Sequence, residues 1–401
     1  MLEITGYSFP NDVHISWSLM VVMYPYITGI VAGAFIVSSL YHVFNREEFR
    51  PIARLSLLVS FAFLLVAPLP LANHIGQPLR GFFIFATPHF SSAMAGFGIL
   101  YSLYLLLLSL EIWFVLRGDI IALARRSRGL LRKLYSALAL WTYDTSPAAL
   151  ELDRRITRTL AAIGIPGACL LHGYVGFIFG ALKSNPWWST PLMPVIFLVS
   201  AIVSGIAMLI ILYQIAMKLL GQPISRDCVQ SLSRWLWLFM ILTVTLELLE
   251  IITLAYEGAE EWEVIGPLLV NQLSVSFISI QMIIGALIPF ILLMIVVLMN
   301  PYLHDRIRNT LTFAASSLLL VQVFSMRWNV VIGGQIFSKS LRGYRSGYSP
   351  QFLEREGILA AILIFILPFI LLLVLERFFP LWGPLQKSET VPASPDTNPS
   401  E

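Results

Sequence analysis

The chain has 401 residues, 57% of them hydrophobic and 12% charged, with a mean hydropathy of +0.80. That balance excludes a soluble domain and points to a polytopic membrane protein. The net charge of +3 says little about partners, because charge position matters more than the sum. The two cysteines, Cys169 and Cys228, supply neither a disulfide framework nor the roughly four ligands of an iron–sulfur cluster.

A helix needs about 20 apolar residues to cross the hydrocarbon. By that measure the spans are Trp17–Phe44, Ile52–Asn73, Ser92–Leu116, Ile156–Leu182, Pro191–Leu219, Leu232–Tyr256, Ser274–Asn300, Leu311–Ile332 and Ile358–Phe379. The fold expected is all-α, a transmembrane bundle of about nine spans (eight to ten). Residues 1–385 form one membrane domain, and the polar, Pro/Ser-rich 386–401 tail is expected to be disordered. Met1 to Val13 shows no basic region before a short apolar core, so no cleavable signal peptide or twin-arginine leader is expected.

Placing the N-terminus outside puts most of the 26 lysines and arginines inside, including Arg46, Arg50, Arg54, the nine from Arg117 to Arg158, Lys218, Arg226 and Arg234. The 118–155 inner loop interleaves basic residues with leucines from Ala122 to Leu134. It reads as an amphipathic helix on anionic membrane lipid, with partner docking as the alternative. The outer loop from Arg327 to Gly357 breaks the charge rule. It carries Arg327, Lys339, Arg342, Arg345 and Arg355 among Trp328, Tyr344 and Tyr348, and is expected to face a partner or a charged ligand.

Small residues mark close helix packing: Gly29 and Gly33 in the first span, Gly176 and Gly180 in the fourth, and Ser200, Ala201, Ser204 and Gly205 in the fifth. There is no evident internal repeat, which weighs against a transporter.

The candidate chemistry collects at the outer face. His74 and Arg80 flank the Gly76 and Pro78 break, with His89 beyond; Trp187 and Trp188 read as interfacial anchors. A quinone headgroup needs donors for its carbonyls, an apolar slot and a proton exchanger, and an imidazole such as His74 or His89 suits the last. Within the spans, ionisable groups are costly and need a partner or water. Glu111 lies near the inner end of the third span, and His172 lies mid-span in the fourth. Glu247 and Glu250 share one face of the sixth, and Gln281 reads as polar glue in the seventh. Arg327 at the outer end of the eighth is placed to pair with Glu250. The plain account of these groups is static polar glue; the sharper one is a proton path through Glu111, Glu247 and Glu250. Only His172 of the six histidines is deep in a span, so no haem and no other metal site is expected.

These residues together resemble the NrfD/PsrC (polysulfide reductase membrane subunit) family, in its long DsrP-like and hydrogenase-membrane-subunit-like branch. The likeness rests on the Gly29-rich first helix, Asn73 to Arg80 with Pro88, His172-Gly-Tyr-Val-Gly176, Trp187/Trp188, Ser200 to Gly205, and Arg327 to Gln335. The resemblance implies a quinone- or quinol-reactive subunit (menaquinone or ubiquinone) of the cytoplasmic (inner) membrane, without haem or iron–sulfur clusters of its own. It implies a ferredoxin-like iron–sulfur partner on the outer face, with a molybdenum enzyme, hydrogenase or multihaem cytochrome beyond. No nucleic acid is expected. Many members carry an aspartate before the Gly-x-Pro break, where this chain has His74. The expected site thus has His74, Glu250 and Arg80 in catalytic roles, with His74, Arg80, His89, His172, Arg327 and Gln335 against the cofactor. A secondary transporter or ion conductor using Glu247, Glu250 and His172, and a purely structural anchor, are the other readings.

Overall fold

The computed structural model describes residues 14–381 apart from Phe90, Ala259, Ser338, Lys339, Ser340, Arg342, Ser346 and Pro380. The expectations for Met1 to Val13, Lys339, Arg342 and the 386–401 tail fall outside the described residues.

The chain is a run of helices: α1 Leu19–His42, α2 Arg50–Val66, α3 Pro68–His74, α4 Phe83–Ala86, α5 Ala93–Arg126, α6 Gly129–Leu138, α7 Pro147–Gly180, α8 Met193–Leu219 and α9 Arg226–Glu257. There follow α10 Trp262–Pro267, α11 Ile288–Leu298, α12 Asp305–Trp328, α13 Gly334–Ile336 and α14 Ile358–Phe378. Three stretches widen to π-helix: Leu268–Gln272, Ser274–Leu287 leading into α11, and Asn329–Gly333 joining α12 to α13. Among the described residues, 9 helical segments are long and apolar enough to cross a membrane. They alternate in direction, so the bundle has one rim carrying Ser18, His74 and Gly357 (the Ser18 rim) and an opposite rim rich in arginine.

Local chemistry sets the ends. The Ser18, Ser146 and Ser225 hydroxyls cap α1, α7 and α9 by accepting a backbone N–H of the first turn. Gly258, at φ +60°, closes α9 in the left-handed conformation open to glycine. Helix α1 is the hub, with 94% of its apolar window buried, whereas only 17% is buried in α9 and in α14. The small residues of α1 and α8 serve their crossing: a Cβ on Gly33 would meet the Ala201 carbonyl and Gly205 Cα. Gly176 lets α7 lie on the backbone of Met193 and Pro194 in the same way.

Helices α5 and α7 run well past their expected bounds. Helix α5 continues to Arg126 rather than Leu116, because nothing before the extended Ser127 and Arg128 breaks it. The amphipathic stretch expected from Ala122 to Leu134 is therefore split between the end of α5 and a separate α6. Glu111 consequently lies mid-helix, fifteen residues short of Arg126, or about 22 Å. Helix α7 starts at Pro147, well before Ile156, where Ser146 caps it and proline occupies its first turn.

Candidate functional site within the bundle

The centre of the site is a buried carboxylate. Glu247 on α9 is 5% exposed and accepts from Gln281 Nε2 at 2.8 Å and Gln322 Nε2 at 3.3 Å. Gln281 Oε1 accepts from Asn329 Nδ2 at 2.7 Å, and Asn329 Oδ1 accepts from Ser276 Oγ at 2.6 Å. Ser325 Oγ donates to the Ser276 carbonyl at 2.7 Å. From Ser276 through Asn329 and Gln281, each side chain donates to the next, and the run ends on Glu247. Such a polarised chain in low dielectric strengthens each link and suits a negative end group. It joins α9, α12 and two of the three π-helical stretches, and widened helices of this kind are rare and often mark functional positions.

Beside this chain is a cation. Arg327, the last residue but one of α12, is fully buried. Its Nη2 donates to Ser200 Oγ at 2.7 Å, to the Phe197 carbonyl at 3.2 Å and to His172 Nε2 at 3.2 Å. The guanidinium carbon lies 3.8 Å from the Phe197 ring centroid. None of these partners is a carboxylate, so the pairing expected with Glu250 does not form. Nor does Arg327 belong to the exposed loop: the eighth span runs on to Ile336 and encloses both Arg327 and Gln335. His172 Nδ1, also buried, has no hydrogen-bond partner among the described residues.

Glu250 stands one turn beyond Glu247, and its buried Oε1 lacks a partner among the described residues. Both carboxylates line a cavity of about 30 Å3, walled by Trp187, Met193 and Ile196 on one side and Phe277, Gln281, Met326 and Asn329 on another. That volume holds a water or two. Glu250, Ile251 and Phe277 are only half-buried, so the mouth opens between α9 and the π-helix.

The Ser18 rim closes over this core. Trp187 and Trp188 are 7% and 5% exposed, so they are packed inside and not interfacial anchors. Trp188 stacks on Trp17 at 4.9 Å and donates to the Val330 carbonyl at 2.7 Å; its ring lies where a Cβ on Gly334 would sit. Gln335 accepts from the Trp17 N–H at 3.0 Å. Next to Trp17, the Ser18 hydroxyl donates to Glu356, whose Oε2 lies 2.7 Å from His74 Nδ1. Partial burial pushes the Glu356 carboxyl up, but the Ser18 and His74 hydrogen bonds outweigh it and hold it below the usual carboxylate range. Arg355 donates to the Ile75 carbonyl, Tyr348 Oη accepts from Leu19 N–H, and Tyr344 Oη donates to the Val264 carbonyl. The basic loop thus ties the rim together instead of standing clear of it; burial raises the Tyr344 and Tyr348 hydroxyls above their ordinary values.

The structure therefore brings together Glu247, Glu250 and Gln281, and separately Arg327 with His172. His74 joins Ser18 and Glu356 at the rim. Arg80 is exposed, and His89 is exposed with its ring 2.8 Å from Ser91 Oγ. Glu111 is fully buried with neither oxygen partnered among the described residues. Sequence reasoning missed Gln322, Ser325 and Asn329, although their spacing of three and four is a polar stripe on one helix face. It also missed Glu356, which with Glu354 is one of two acids at the end of the basic loop.

A multi-pass helical bundle with a carboxylate-centred polar site buried beneath one rim is the class this geometry defines. The chain belongs to the polysulphide reductase NrfD family, whose model matches residues 9–339. It is similar to a selenate reductase subunit of Mesobacillus selenatarsenatis, 33% identical over 53% of this chain and 50% of that protein. It is also similar to a putative dimethyl sulfoxide reductase membrane subunit of Halobacterium salinarum, 31% identical over 56% of this chain and 49% of that protein. The matched region is thus about half the length of these two relatives. The Hdr-like menaquinol oxidoreductase integral membrane subunit of Archaeoglobus fulgidus is 24% identical over 88% of this chain and 83% of its own length.

Proposed function

We propose that this chain is the membrane subunit of an oxidoreductase complex and exchanges electrons between a membrane quinone pool and an iron–sulfur partner docked on the Ser18 rim. The family and the names of its relatives, one of them a menaquinol oxidoreductase subunit, support that reading. The positive-inside rule supports an orientation with the arginine-rich rim in the cytoplasm and the Ser18 rim outside, in the inner membrane.

The observation that carries the reading is Glu250: a carboxylate with an unpartnered oxygen at the mouth of a cavity whose inner wall is the satisfied Glu247. The residues suit a quinone by chemistry, with a proton exchanger, an aromatic wall and apolar flanks. The cavity is sized for water, so the ring is placed at its mouth on the lipid-facing side and the cavity carries protons. A bound quinone–quinol couple supplies two-electron, two-proton chemistry. The chain's own part is to take or give a proton at Glu250 Oε1, pass it over water toward Glu247, and balance the charge with Arg327. His74 with Glu356, and Arg80 and His89 on the exposed loop, belong to the partner-facing rim. Glu111 is the candidate for extending the proton route toward the other rim.

The test is quinol turnover by the complex in native membranes. Glu250→Gln keeps the shape and removes the titrating group, and the expected loss is at least tenfold, against about 10²–10⁴ for general acid–base catalysis. Unchanged turnover in this variant, with the complex intact, overturns the site.

A further inference from the structure

At the arginine-rich rim, away from the carboxylate site, a second cavity of about 280 Å3 lies between the α1–α2 connection and α9. Its walls are Arg46, Ser231, Arg234, Trp235 and Leu238. Arg46 gives its Nε and Nη2 to Glu48, at 2.8 and 2.6 Å, and Nη1 stays unengaged among the described residues. Arg234 and Ser231 make no side-chain hydrogen bond or ion pair among the described residues. The volume approaches the lower bound of about 300 Å3 for small-molecule sites.

The four residues from α9 lie at spacings of three and four, so they form one stripe. Along it the chemistry is graded. Ser231 and Arg234 come first, nearest the rim; Trp235, stacked on Phe239 at 5.8 Å, comes next; Leu238 and Leu242 follow, exposed to 53% and 43%. A phospholipid has that same gradient: anion, glycerol backbone, acyl chain. We propose that this cavity binds one anionic phospholipid, with its phosphate between Arg234, Arg46 Nη1 and the Ser231 hydroxyl. Its glycerol lies on the Trp235 indole and its chain along Leu238 and Leu242. A free phosphate shares the headgroup chemistry but gains nothing from the leucines. A zwitterionic lipid such as phosphatidylcholine offers the same phosphate but adds a choline cation that the two guanidinium groups repel. Basic pockets between membrane helices favour anionic headgroups for this reason.

The experiment is native mass spectrometry of the full chain purified in mild detergent. It is titrated in turn with phosphatidylglycerol, phosphatidylcholine and inorganic phosphate. The wild type is expected to hold one phosphatidylglycerol and to bind phosphatidylcholine and phosphate weakly. Arg234→Gln, which breaks no bond of the fold, is expected to weaken phosphatidylglycerol roughly fivefold, the worth of one surface cation. Arg46→Gln should act in the same direction, and Arg132→Gln on α6, outside the cavity, should change nothing. Equal phosphatidylglycerol retention by wild type and Arg234→Gln overturns the proposal. So does inorganic phosphate binding as tightly as the lipid, which makes the cavity a free-anion site.

Discussion

Gln281 and Glu247 meet at 2.8 Å, amide nitrogen to carboxylate oxygen, and the amide is held in place from behind by Asn329. Glu247 then has only Gln322, at 3.3 Å or more, to fall back on. Replacing Gln281 with Leu is expected to leave Asn329 Nδ2 without its acceptor and Glu247 without its best donor. Polar contacts between membrane helices are worth about 1 kcal/mol, so thermal unfolding in detergent should show a loss of that order. Because the donors converge on Glu247, quinol turnover should fall as well. A variant as stable and as active as the wild type would mean that the chain of amides plays no part.

Arg327 makes the opposite case. Its hydrogen bonds end on His172, Ser200 and the Phe197 carbonyl, and no carboxylate shares its place. Ser200 keeps partners of its own, because its hydroxyl also donates to the Ile196 and Phe197 carbonyls. Removing the guanidinium takes from the buried His172 its hydrogen bond at Nε2, but it also relieves a buried charge that is costly to maintain, and the two effects offset. Arg327→Gln is expected to change stability by no more than about 1 kcal/mol while quinol turnover drops at least tenfold. Arg327→Lys should not rescue turnover, since an ammonium cannot reproduce the fork or the stacking on Phe197. A destabilised but fully active Arg327→Gln would assign the residue to the fold.

The spans are legible in the sequence because lipid demands long apolar runs, and the Gly33 to Gly205 crossing because only small residues permit it. Glu247 and Glu250 can be paired from their spacing on one helix. What spacing cannot give is the partner across a helix interface. Depth alone sets Arg327 beside Glu250, yet the way α7, α8 and α12 pack puts His172 and Ser200 there. The π-helical stretch from Ser274 to Leu287 also leaves no mark, because its apolar run reads the same whether the helix is α or π. The tryptophans mislead for a related reason. A Trp near a span end usually meets the headgroups, but Gly333 and Gly334 leave room for Trp187 and Trp188 inside.

The Ser18–His74–Glu356 clip gives the Ser18 rim a pH dependence with a definite sign. The folded Glu356 carboxyl titrates below its ordinary value of 4.5, so its contribution is fully present above that value. It is lost as the pH falls through the lower folded value. The clip should therefore stabilise the protein without any pH dependence near neutrality, and thermal stability should drop in acid more in the wild type than in Glu356→Gln. At neutral pH, Glu356→Gln should cost about 1 kcal/mol, since the carboxylate is only partly buried. Parallel pH profiles for the two proteins would remove Glu356 from the account of the rim.

The α1–α8 crossing offers the sharpest structural test. A Cβ on Gly205 would strike the Gly33 Cα and carbonyl carbon and the Ala34 nitrogen, all of them backbone atoms that cannot swing aside. The two helices would have to separate along the hub of the bundle, taking with them the Ser204 contact with Gly29 and the His172 ring behind it. Gly205→Ala is therefore expected to lower the yield of folded protein and to cost about 1–3 kcal/mol, the range for overpacking a core. Gly173 on α7 is the control: nothing lies within 4 Å of the Cβ it would gain, and alanine favours the helix. Gly173→Ala should express and melt like the wild type or slightly better. If the two variants behave alike, the crossing is looser than these contacts require.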